Sequence, residues 1–94
     1  MNRITKAMLL SRIDALNDAL DLPRQPYAAA RDANGCLQSN DGTFVLDWAY
    51  GGVRLSRMCA GGGERDISGR GTVRECYTFI HAMLAGIALV KKQA

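Results

Sequence analysis

A chain of 94 residues, 48% apolar and 22% charged, can build one hydrophobic core but has no length for a second, and this composition excludes intrinsic disorder. Its formal net charge of +3 is too mild to demand a polyanionic partner. The charge is unevenly placed, since residues 1–49 carry five basic and six acidic groups (−1) while residues 50–94 carry seven and three (+4).

The first helix is marked by Thr5 as its cap, by Ile4 placed to staple onto Leu9, and by Leu9, Ile13, Leu16 and Leu20 at spacings of four, three and four. Arg12, Asp14, Asn17, Asp18 and Asp21 fall mainly on the opposite side and read as a solvated face. The charges at Arg12 and Asp14 interrupt any secretory apolar segment and no small-residue cleavage site follows, so a cytoplasmic location is expected. Pro23 ends the helix because its ring cannot continue the hydrogen bonding. The stretch "PRQPYAAARD" is then an extended lead-in.

Asn34-Gly35, Asp41-Gly42 and Gly51-Gly52 can each supply the positive backbone angles of a tight turn, and a meander is the natural solution. Phe44, Leu46, Trp48 and Tyr50 alternate with Val45, Asp47 and Ala49. After the third turn, Val53, Leu55, Arg57 and Cys59 alternate with Arg54, Ser56 and Met58. A two-residue Gly51-Gly52 loop would set Trp48 opposite Leu55, Tyr50 opposite Val53 and Phe44 opposite Cys59 on the core face. It would also bring Asp47 diagonally near Arg54 on the other face, in an exposed contact of small worth.

The stretch "CAGGGERDISGRGTVRE", residues 59–75, leads into the last helix. Thr72 and Glu75 form a capping box, so that helix begins at Val73. Val73, Cys76, Tyr77, Ile80, Met83, Leu84 and Ile87 trace its buried stripe, and Lys91 and Lys92 suit its carboxyl end. Burying these large side chains contributes roughly 1.5 to 3 kcal/mol each before ordering entropy is subtracted. A second stripe of Ala82, Ala85, Gly86 and Leu89 permits close helix approach. The first helix is expected to cover it within the chain, and a homodimer seam or another protein-binding surface is the alternative. The apolar run Ala82 to Val90 is too short to cross a bilayer, so no membrane contact is expected.

Cys36, Cys59 and Cys76 are odd in number and widely spaced, and there is a single histidine, which excludes a disulfide framework and a zinc site. The thiols read as small buried or half-buried side chains in a reducing compartment. His81, five residues after Cys76, is turned well away from it on the helix, so the two cannot act as base and nucleophile, and a surface or rim position is expected. Asp41, Asp47 and Asp66 have nothing that fixes them as an acid pair. No enzyme, cofactor or metal is expected. Gly69-Arg70-Gly71 is followed by Arg74 where a dinucleotide fingerprint needs a third glycine, and no Gly-Lys-Thr follows. What remains is a pliant joint into a capped helix, with Arg65, Arg70 and Arg74, and with Arg54 and Arg57 on the neighbouring strand, as candidate contacts to a nucleic acid backbone. Trp48 and Tyr50 adjoin this basic strand, but sharing a face with Phe44 and Leu46 they are expected to be buried rather than to stack on bases.

Helix, three-stranded meander, helix is similar in element order to the double-stranded-RNA-binding domain, but the lysine-rich start of that family's second helix is replaced here by Arg70-Gly71-Thr72-Val73-Arg74-Glu75. In "ITKAMLLSRIDALN", in "AYGGVRL" at 49–55 and in "GRGTVRECYTFIHAMLAGI" at 69–87, the chain resembles the short uncharacterised proteins of tailed bacteriophages and prophages. That resemblance implies an origin, a bacterial host and a fold, not an activity. The expected fold is a single α+β domain of order α-β-β-β-α, with both helices on the Phe44, Leu46, Trp48 and Leu55 face of an antiparallel sheet. The expected function is non-enzymatic binding by a phage accessory protein, with nucleic acid as first partner and a host or phage protein, or a second copy, as the alternative.

Overall fold

The computed structural model describes residues 3–28 and 30–93. Thr5 caps helix α1 (Lys6–Ala19), its hydroxyl accepting from the Met8 amide at 3.1 Å. Proline does not end this helix. The chain reverses earlier, with the Leu22 amide donating to the Asn17 carbonyl at 2.8 Å and the Asp21 amide to that of Asp18 at 3.1 Å. This is a Schellman closure, with Asp21 at φ 57° in the position that glycine usually takes.

Strands β1 (Phe44–Ala49), β2 (Gly52–Met58) and β3 (Glu64–Asp66) form an antiparallel sheet in the order β1-β2-β3, followed by helix α2 (Val73–Gln93). The fold is therefore α+β in the expected order. The third strand lies inside the stretch that the sequence marks as a joint. Gly61, Gly62 and Gly63, all at positive φ, make the turn between β2 and β3. The described residues between 24 and 40 hold the isolated bridge Tyr27 to Ser39 and a reversal at Gly35.

The β1–β2 loop is Tyr50-Gly51, not Gly51-Gly52. Ala49 pairs with Gly52, Trp48 with Val53, Leu46 with Leu55, and Phe44 with Arg57. The register slips by two residues, which preserves the faces. Gly51 at φ 99° takes the left-handed corner, leaving Gly52, at φ 127°, to meet the chain before α2. A Cβ on Gly52 would lie 2.1 Å from the Gly71 carbonyl oxygen. Val53 and Gly71 exchange both backbone bonds at 2.9 Å.

Leu9, Ile13, Leu16, Phe44, Val53, Leu55, Cys76 and Ile80 form the core, so both helices lie on the face carrying Phe44, Leu46, Val53 and Leu55. One helix layer on one sheet gives a flat molecule, 20 Å in its shortest extent. Asn17 is fully buried, against its assignment to the solvated face. Its amide donates to the Phe44 carbonyl at 3.0 Å and accepts from the Phe44 amide at 2.8 Å, which satisfies the first residue of β1 from inside α1.

Trp48 shares the helix-bearing face but is 41% exposed, with the Lys6 ammonium 5.3 Å from its ring centroid. Tyr50 sits at the hairpin tip and is wholly exposed. The burial expected for both does not occur, because the two-residue slip moves them toward the end of the sheet. Cys36 is also exposed, whereas Cys59 is half-buried and Cys76 buried. Burial pushes the Cys76 thiol pKa up.

Candidate functional site

The five arginines do not converge on one patch. Asp47 and Arg54 are directly opposite across β1 and β2, and the Arg54 Nε donates to Asp47 Oδ2 at 2.8 Å. Arg70 reaches the same oxygen at 2.9 Å and also donates to the backbone carbonyls of Asp47 and Gly52. Asp66 lies 4.0 Å from Arg54. Hydrogen bonds from Arg70 and then from Arg54 hold the Asp47 carboxyl below the ordinary carboxylate range, against partial desolvation. Arg54 and Arg70 thus fasten the joint before α2 to the sheet, with two acids near them.

Arg57 and Arg65 are directly opposite at the other end of β2. The Arg57 guanidinium stands 4.7 Å over the Phe44 ring, and its Nε donates to the Gly42 carbonyl at 2.9 Å. Arg65 is exposed on β3. Arg74 lies in the exposed first turn of α2 and makes contacts of its own. The capping box before it is formed as expected, the Thr72 amide donating to Glu75 Oε1 at 3.0 Å and the Glu75 amide to the Thr72 hydroxyl at 3.1 Å. Donation to the Glu75 carboxyl from the Thr72 backbone amide, and then from the Thr72 side chain, lowers the Glu75 pKa against partial desolvation.

Beyond its first turn, α2 presents a different surface. Cys76, Ile80, Met83, Leu84 and Ile87 face α1 and the sheet, while Ala82, Ala85, Gly86 and Leu89 are all exposed. The first helix does not cover that strip. It packs on the opposite side of α2, where the Lys91 ammonium donates to the Ala19 carbonyl at the end of α1. Phe79, Leu89 and Val90 are 37%, 62% and 70% exposed. An apolar groove lined by Leu20, Met83, Gly86, Ile87, Val90 and Lys91 runs beside them.

Val73–Lys92 is by length and composition long and apolar enough to cross a membrane, a property hidden when only the run Ala82 to Val90 is counted. Core helices of soluble proteins meet the same measure. This one differs in that only 11% of its apolar window is buried. A Cβ on Gly86 would meet nothing within 4 Å. A mid-helix glycine costs about 1 kcal/mol relative to alanine, and among the described residues no close neighbour at this position requires one.

His81 is exposed, as expected, with its ring stacked on Tyr77 at 6.3 Å between centroids. Among the described residues no group of three or more His, Cys, Asp or Glu side chains is placed to hold a metal ion. The bridging role of Asp47 between Arg54 and Arg70 is not legible in the sequence, since only the Arg54 half follows from strand alternation. Comparison with family models, with curated proteins and with solved structures gives no match.

Proposed function

We propose that this protein is a non-enzymatic binding module whose working surface is the outer side of α2, engaged by protein. The supporting observation is that its longest and most apolar helix leaves Ala82, Ala85, Leu89 and Val90 in solvent. Uncovered apolar surface of this kind marks interaction sites in soluble proteins. The phage-type resemblance suggests an accessory protein of the bacterial cytoplasm as the setting.

Nucleic acid binding is the second reading, and one observation favours it. Arg57 and Arg65 are register partners on adjacent strands and line one pocket beside Asp41 and Gly42, where a phosphate would meet both side chains. Arg54 and Arg70, by contrast, already have Asp47 as a partner.

A photo-crosslinking residue placed at Leu89, at Arg65 or, as a control, at exposed Ser11 separates the two readings in bacterial cells. Protein adducts at 89, absent at 11 and resistant to 0.5 M salt during capture, are the expected result. Nucleic acid adducts at 65 with none of protein at 89 would replace the first reading by the second.

A further inference from the structure

Glu75, Thr78, Ala82, Ala85, Leu89 and Lys92 recur at spacings of three, four, three, four and three, and all six are exposed. That is the spacing of a two-helix seam, and it lies opposite the stripe that α2 buries at Ile80. We infer that the occupant of the seam is a second copy of this chain, with its α2 antiparallel to the first. This rests on the α2 surface proposed above and names its partner.

The argument is one of charge and size. The seam maps onto itself when reversed: Ala82 meets Ala85 of the other copy, Thr78 meets Leu89, and Glu75 meets Lys92. A two-fold contact requires such self-complementarity. In the parallel arrangement Glu75 would face Glu75 and Lys92 would face Lys92, with the helix dipoles aligned unfavourably as well. The antiparallel one turns both like-charge contacts into opposite-charge contacts. Glu75 uses Oε1 for the capping box, and its second carboxylate oxygen is not used in that bond. The smallest side chains fall at the middle of the seam, where two helix axes come closest, and Gly86 on its flank leaves space for the facing helix.

The test is sedimentation equilibrium of the full chain over a wide concentration range at 0.15 and 0.5 M salt, with thiol crosslinking in a Cys36→Ser background. Twice the 10.2 kDa chain mass is expected. Ala85→Glu should raise the dimer dissociation constant on the order of 100-fold while the circular dichroism melt stays that of a folded chain. Thr78→Cys mixed with Leu89→Cys should give a 78-to-89 disulfide. A monomer at millimolar concentration, a dimer indifferent to Ala85→Glu, or a 78-to-78 disulfide would overturn the inference. So would Leu89-dependent binding to anionic phospholipid vesicles by a chain that stays monomeric. A monomer that still gives heterologous protein adducts from position 89 overturns the second copy alone and leaves the protein-binding reading standing.

Discussion

Both sides of α2 carry apolar residues, large ones on the inner side and mostly small ones on the outer, and they have opposite fates. Ile80 is fully buried beneath α1 and β2, whereas Leu89, about two and a half turns on and so on the opposite side, is 62% exposed. Apolarity therefore does not by itself say which side of a helix a small domain uses. What decides is the area the rest of the chain can cover, and three strands with one 14-residue helix cover one side of α2.

Substitution on each side breaks or sharpens that contrast. Ile80→Ala should lower stability by about 2–5 kcal/mol in denaturant titration, since it empties a filled site. Leu89→Ala should change monomer stability by less than about 0.5 kcal/mol. Equal effects would mean that the outer side is covered after all. Asn17→Ala comes next, at about 2–4 kcal/mol, because the buried amide and carbonyl of Phe44 each lose their side-chain partner. Its amides in β1 should lose exchange protection first.

The smallest effect concerns the charged joint. The Asp47 pKa is lowered in the fold, so its contribution is present above the unfolded value of about 3.9 and is lost as pH falls through the folded value. Melting temperature should fall slightly more between about pH 5 and about pH 2 in the parent than in Asp47→Asn. An identical acid limb in both would show that Arg54 and Arg70 gain nothing from this carboxylate.

Much of the fold is legible in the residues. Thr5 and Thr72 name both helix starts, and alternation names β1 and β2, because caps and periodicities act within a few residues. Three features were not, each for lack of a local signal. Asn17 lies next to the apolar stripe and becomes interior only because β1 brings a backbone amide and carbonyl to it. The Tyr50-Gly51 loop competes with Gly51-Gly52, and the choice is made by Gly71, nineteen residues beyond Gly52. Strand β3 is three polar residues, Glu64-Arg65-Asp66, which carry no apolar pattern and are ordered by the edge of β2. The α2 strip was visible as small residues. Its exposure depends on where α1 lands and could not be read from α2 alone.

Gly52 rests on the carbonyl of Gly71, and the adjacent Val53 is bonded to Gly71 in both directions. The hairpin tip and the entry to α2 are in effect welded, with no slack for a methyl group between them. The start of β2 and the residue just before the α2 cap therefore hold one another in place, so that a substitution at Gly52 would disturb the entry to the long helix as well as the hairpin.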